Sequence, residues 1–136
     1  MNSGKILISN FTLLNDNQFN KSVVLLVKDD SEATIGFILN RKTNYLISDL
    51  NESCKGLDLP VYEGGPVALD SLHFIHKQND LITDSIKVND DLYWGINFKK
   101  AIDLIKTNKI KKGEVKFFIG YSGWSKNQLI GEINEN

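Results

Sequence analysis

Several places in the sequence carry residues whose types and spacing could do chemistry. Gly120-Tyr121-Ser122-Gly123 sits where a strand would hand over to a helix, the setting of a nucleophile elbow. The elbow requires G-x-S-x-G, and here the second glycine comes one residue early. Both histidines also precede the serine, against the order of the α/β-hydrolase triad. Ser122 is therefore read as part of a glycine-rich turn that lets Trp124 pack. His73 and His76 invite a metal site, but residues three apart on a strand point to opposite faces. No Cys-x-x-Cys or His-Glu-x-x-His spacing supports them. No metal and no cofactor is expected.

Glu63-Gly64-Gly65-Pro66 would let a backbone approach a phosphate, yet it lacks the spacing of a P-loop or dinucleotide fingerprint. It reads as a tight turn. Cys54, beside Lys55, has no base or second thiol to make it a nucleophile and is read as incidental. Asn40-Arg41 is more informative. Arg41 is the only arginine in the chain and closes an apolar strand. A guanidinium offers a planar fork of donors that lysine lacks, so a specific carboxylate, carbonyl or phosphate-like partner is expected for it. Lys99, Lys100, Lys106, Lys109, Lys111, Lys112 and Lys116 share a stretch whose only acids are Asp103 and Glu114, which leaves it at +5 and the remaining chain at −6. That cluster reads first as a solvated face and second as a dock for phosphate backbones, although no stacking aromatics interleave with it.

The elements that must position these groups are mostly strands. Lys5 to Ser9, Ser22 to Val27 and Thr34 to Leu39 are short aliphatic runs separated by polar turns. Val23-Val24-Leu25-Leu26-Val27 does not alternate, which predicts a strand buried on both faces, paired as a hairpin with the next one. Tyr45 to Leu50 could make one or two helical turns. Leu72 to His76, Ser85 to Val88, Leu92 to Ile96 and Val115 to Ile119 are further strands. Asn97 can cap a helix whose Phe98, Ala101, Ile102 and Ile105 fall on one face. Ser125 and Gln128 have capping-box spacing before a last helix through Leu129, Ile130 and Ile133.

Composition narrows the function classes. The chain has 136 residues, 41% hydrophobic and 24% charged, which suits one folded domain spanning 1–136. A net charge of −1 argues against a protein that lives on nucleic acid. The lone cysteine excludes an internal disulfide framework and fits a reducing compartment. No signal-like segment opens the chain and no apolar run approaches a membrane span, so a cytoplasmic location is expected.

Four stretches together resemble the YqgE/AlgH family of small bacterial proteins. They are Phe19-Asn20-Lys21-Ser22-Val23-Val24-Leu25-Leu26, Ile35-Gly36-Phe37-Ile38-Leu39-Asn40-Arg41, Leu59-Pro60-Val61-Tyr62-Glu63-Gly64-Gly65-Pro66-Val67, and Phe118-Ile119-Gly120-Tyr121-Ser122-Gly123-Trp124 with Gln128-Leu129 and Glu132 behind it. The resemblance implies an α+β fold: a single domain with a curved, mixed but largely antiparallel sheet and helices packed outside. It implies no established catalytic activity, and the family's position matching Ser122 is commonly alanine. Some members carry a transcriptional-regulator label, although no helix-turn-helix is legible here. Family members usually continue past the position of Asn136, so this chain reads either as a natural short form or as a trimmed piece of a longer one. In both cases the last helix is expected to lack a packing partner.

The reading that follows is a non-enzymatic cytosolic protein that binds a protein partner, with a regulatory role. Its expected surface is Asn40, Arg41, Gly64, Gly65, Pro66, Tyr121, Trp124 and Gln128, the open glycine backbone supplying hydrogen bonds and the aromatics apolar area. Trp124 is at the same time expected to be substantially buried. The alternatives are a small-ligand protein or enzyme using a pocket around Arg41 and Trp124, and a nucleic-acid binder using the lysines of 99–116.

Overall fold

The computed structural model describes residues 3–9 and 22–124. In chain order the elements are β1 (Ile6–Ser9), β2 (Ser22–Asp29), β3 (Thr34–Ile38), β4 (Lys42–Leu46), α1 (Ile47–Leu50), β5 (Pro60–Glu63), β6 (Val67–His76), β7 (Ser85–Lys87), β8 (Tyr93–Gly95), α2 (Phe98–Lys106) and β9 (Val115–Trp124). Short 3-10 turns occupy Glu52–Cys54 and Lys112–Glu114. The main path of the sheet runs β1-β2-β3-β9-β6-β8-β7, with β4 paired to β5 and β5 to β9.

β9 is the hub. Along one edge it pairs antiparallel with β6. Along the other it runs parallel to β5 through Phe117–Ile119 and then antiparallel to β3 through Ser122–Trp124. A strand that changes partner midway cannot belong to a flat sheet, and the whole curls into an antiparallel half-barrel. This is the expected α+β class, one domain with helices outside the sheet.

The outer face of β6 and β9 is covered by α2. Asn97 accepts a hydrogen bond from Lys100 N at 3.0 Å, which caps the helix as its sequence implies. Ala101, Ile102, Leu104 and Ile105 then bury against Val61, Phe74 and Phe117, at about 1.5–3 kcal/mol for each large aliphatic removed from water. Inside the curl, Leu25 and Val27 of β2 pack with Phe37, Ile75 and Phe118. Val24 and Leu26 point the other way and pack with Ile38 and Trp124. That division is why the β2 run is apolar without alternating.

Three expectations change. β9 continues five residues beyond Ile119 as strand, because Gly120 takes a φ of +67° and absorbs an irregularity where a turn was expected. β6 begins at Val67, five residues before the aliphatic run that announces it. Lys42–Leu46 is a strand, with only Ile47–Leu50 helical after it. β4 has no apolar period of its own. It is held by pairing with β5 and by Thr43 Oγ1, which donates to Val61 O at 2.7 Å. The expected helix beyond Ser125 lies outside the described residues.

Candidate functional site

Gly64-Gly65 is a crossing of two backbones. A Cβ on Gly64 would stand 2.5 Å from Gly120 O, and one on Gly65 would collide with the Tyr121 carbonyl and Ser122 Oγ. The polar groups of Gly64 are consumed there. Its N–H donates to Ile119 O at 2.8 Å, while its carbonyl accepts from Ile38 N at 2.8 Å and from Ser122 Oγ at 3.1 Å. The expected open glycine backbone is thus a closed seam, and both glycines are buried. Ser122 is a buried strand residue pinning that seam.

Arg41 follows β3 and meets a carboxylate, as its solitary use suggests. Its Nη1 lies 3.6 Å from Glu63 Oε2, with the two side chains 24% and 28% exposed. The backbones join as well, Glu63 N donating to Arg41 O at 2.8 Å. Asn40 Oδ1 accepts from Val23 N at 3.0 Å, which ties the end of β3 to β2. Both residues therefore work on protein partners.

Tyr121 and Trp124 do not share a surface. Because their segment is a strand, their spacing of three sends them to opposite faces. Tyr121 packs with the cluster around Phe37 and Phe118, Trp124 with Val24, Leu26 and Ile38. Trp124 is 6% exposed, so its burial is as expected and its place on an accessible surface is not. Gln128 lies outside the described residues. Of the expected surface, only Asn40, Pro66 and parts of Arg41 and Tyr121 reach solvent.

The histidines divide by the same geometry. His76 is buried, accepts at Nδ1 from Gln78 N at 3.1 Å, and so carries its proton on Nε2. Nε2 lies 2.7 Å from Ser85 Oγ, whose hydroxyl donates on to Ile82 O at 3.1 Å. His73 faces Phe37, Trp94 and Tyr121, with ring centroids 5.4, 5.9 and 5.9 Å away. Its Nε2 is 2.9 Å from Ser71 Oγ, and Ser71 donates to Ala68 O at 2.6 Å. The serine's single proton is committed to the carbonyl, so His73 donates to Ser71 and does not activate it as a nucleophile. Desolvation holds both imidazoles below the ordinary histidine pKa, hence neutral at pH 7.

Ser71 and His73 pin a feature that the sequence reading missed. Between the pairs Val67↔Tyr121 and Leu72↔Ile119, residues 68–71 of β6 oppose the single Gly120 of β9. Ala68 in this bulge holds a φ of +50°, unusual for a residue with a Cβ. Val67 is 39% and Leu69 48% exposed, flanked by exposed Pro66 and Asp70. The one signal in the sequence is Ser71-x-His73, whose period of two puts both side chains on one face of a strand.

The lysines of 99–116 are not one stripe. Lys106 Nζ bonds Ser53 O beside α2. Lys116 lies on β9, half-buried, its Nζ 3.9 Å over the Tyr62 ring and 2.8 Å from Leu39 O. Burial lowers its pKa from the ordinary lysine value. Among the described residues there is no group of three or more metal-ligating side chains, and no helix is long and apolar enough to cross a membrane.

Known proteins share this arrangement at the level of family and fold. The AlgH-like family model, DUF179, matches residues 6–136. A UPF0301 protein of Chlorobaculum parvum is 38% identical over 135 residues, covering 99% of this chain and 72% of that protein. One from Parabacteroides distasonis is 40% identical over 135 residues, covering 98% and 68%. A crystal structure from Corynebacterium diphtheriae superimposes with a TM-score of 0.71 at 18% identity, over 95% of this chain and 70% of that one. The solution structure of the AlgH protein from Pseudomonas aeruginosa gives 0.67 at 20% identity, over 96% and 72%. With nearly its whole length matched by the family model and by relatives well above 30% identity, the chain belongs to the AlgH-like family.

Proposed function

We propose that this chain is a non-enzymatic cytosolic protein that acts by binding a protein partner, and that its role is regulatory, its output being occupancy and not turnover. The observation that carries the reading is the bulge Ala68–Ser71, which departs from regular pairing with β9 near the start of β6 and leaves Val67 and Leu69 in water. Bulges re-aim side chains, and a non-glycine residue at positive φ costs of order 1–3 kcal/mol that a purely structural strand would avoid. Ser71 and His73 hold the displaced segment from beneath. Apolar side chains on a rigid support, rimmed by polar residues, suit an apolar patch of a partner protein. Pro66 and Tyr121 of the expected surface adjoin it; Gly64 and Gly65 support it from within.

Nucleic acid is the weaker candidate, since Lys106 and Lys116 bond carbonyls of the protein and are not arrayed with their neighbours. Binding to labelled duplex should vanish at physiological salt, because counterion release is all that a dispersed cluster offers.

The test places a photo-crosslinking amino acid at position 69 in living cells, with position 99 on the exposed face of α2 as control. A partner captured at 69 and not at 99 is then purified. Leu69→Asp is expected to weaken its affinity about tenfold or more, as for a central apolar contact, with the melting temperature unchanged. Equal capture at both positions, or unchanged affinity of Leu69→Asp, rejects the reading.

A further inference from the structure

A second site lies away from the bulge, between β5 and β9. Leu59, Pro60, Tyr62 and Val115 wall a cleft of about 330 Å³, with Lys112 and Lys116 also lining it. We propose that this cleft binds a small aromatic carboxylate, its ring against the apolar walls and its charge between the two lysines.

The electrostatics select the sign of the ligand. Among the described residues no acidic side chain lines the cleft. Three carboxylates adjoin the lining residues in sequence: Glu63 pairs with Arg41, Glu114 accepts from Gln78 Nε2 and from Lys111 N, and Asp58, exposed before Leu59, does not line the cleft. The Lys116 ammonium has three protons and donates one of them to Leu39 O. It is already held over the Tyr62 ring, so little side-chain entropy remains to be lost when an anion arrives. Lys112, exposed on the adjoining 3-10 turn, adds a second positive charge.

Shape selects the body of the ligand. The volume falls at the small end of the range for ligand pockets, about 300–1,000 Å³, which suits one or two fused rings. The Tyr62 ring, the Pro60 pyrrolidine and the Leu59 and Val115 side chains offer apolar contact, while the charges that the described residues bring to the cleft are cationic. A neutral ring would gain the apolar contact alone. A small inorganic anion would gain the charge alone and leave the walls wet.

The experiment is a heteronuclear NMR titration with 2-naphthoate, alongside 2-naphthalenemethanol as its neutral counterpart. Saturable shifts are expected at the amides of Tyr62, Gly113, Val115 and Lys116 with naphthoate, and about tenfold weaker binding of the alcohol. Lys116→Met is expected to weaken naphthoate about tenfold or more, and Lys112→Gln several-fold. Lys112 is exposed, so its variant keeps the test meaningful if Lys116→Met does not fold. Equal binding of acid and alcohol, shifts centred elsewhere, no saturation, or unchanged affinity of Lys112→Gln overturns the proposal. The bulge is not involved, and Leu69→Asp should leave naphthoate binding unchanged.

Discussion

The two ends of β6 use the same polar device for opposite purposes. At each end a histidine donates from Nε2 to a serine hydroxyl, which donates to a backbone carbonyl. At His76 the relay crosses between elements, from β6 to Ser85 at the start of β7 and on to Ile82, in the buried zone where Phe74 and Phe117 meet α2. At His73 it stays within β6 and pins Ala68, beside exposed Val67 and Leu69. The first relay joins parts of the fold. The second holds a displaced segment in place without burying it. A shared motif therefore does not imply a shared role; what surrounds the relay decides whether it is spent on stability or on display.

The sharpest way to break that comparison is to empty one site at each end. Phe74 is buried among Phe117, Phe98 and the α2 aliphatics, and Gly95 lacks a Cβ where the Phe74 ring passes. Phe74→Ala is expected to cost about 3–5 kcal/mol in urea unfolding. Leu69→Ala, at 48% exposure, is expected to cost less than about 1 kcal/mol. Comparable losses at both would mean that the bulge is part of the core.

How much of this was legible beforehand follows from which interactions are local. α2 was readable because its cap, Asn97, and its apolar period lie within one stretch of sequence. β2 was readable because an unbroken aliphatic run has few other uses. The length of β9 was not, since Gly120 to Gly123 has the composition of a turn, and it is distant pairing with β3 and Val67, beside the crossing with Gly64-Gly65, that makes it strand. Tyr121 and Trp124 were grouped on one surface for the same reason, and strand alternation parts them. Arg41 revealed its need for an acceptor by its type, but not that Glu63 supplies one. Lys116 looked like one more solvated lysine, because nothing local places it over Tyr62.

pH offers the next test. Both imidazoles have pKa values lowered by desolvation, so the native state resists protonation that the unfolded chain accepts below about 6.5. The unfolded state then binds more protons, and stability must fall as pH drops from 7 through that value toward the lower native pKa values. Their contribution is present in full above about 6.5. His76→Leu leaves Gln78 N–H without its acceptor and is expected to cost about 1–3 kcal/mol at pH 7.5. It should also flatten the acid slope of the urea midpoint, and a slope identical to wild type would remove His76 from the account.

Ser71→Ala sharpens the other side. It removes the hydroxyl between His73 and Ala68 O at a half-exposed position, so a global cost below about 1 kcal/mol is expected. The local effect should be larger. Amide exchange over 68–71 is expected to accelerate while that of Phe74 to His76 stays at wild-type rates. Uniform acceleration along β6 would show one cooperative strand where the comparison requires two regions.

The smallest effect is expected at Arg41, despite its singularity in the sequence. At 3.6 Å the contact with Glu63 is longer than a charge-assisted hydrogen bond of about 2.7–2.9 Å, and both side chains remain partly in water. Such pairs contribute about 0–1 kcal/mol. The two segments are in any case joined by Glu63 N to Arg41 O, a bond that no side-chain substitution removes. Arg41→Lys keeps the charge and loses the fork, so its cost should fall within that same range, about 0–1 kcal/mol. A double-mutant cycle with Glu63→Gln isolates the pair. A coupling above about 2 kcal/mol would place Arg41 with His76, among the groups that join the fold, because a desolvated pair with one partner removed is costly where a wet one is not. A coupling near zero would make the contact with Glu63 a surface feature of the β3–β4 corner, outside the groups that join the fold.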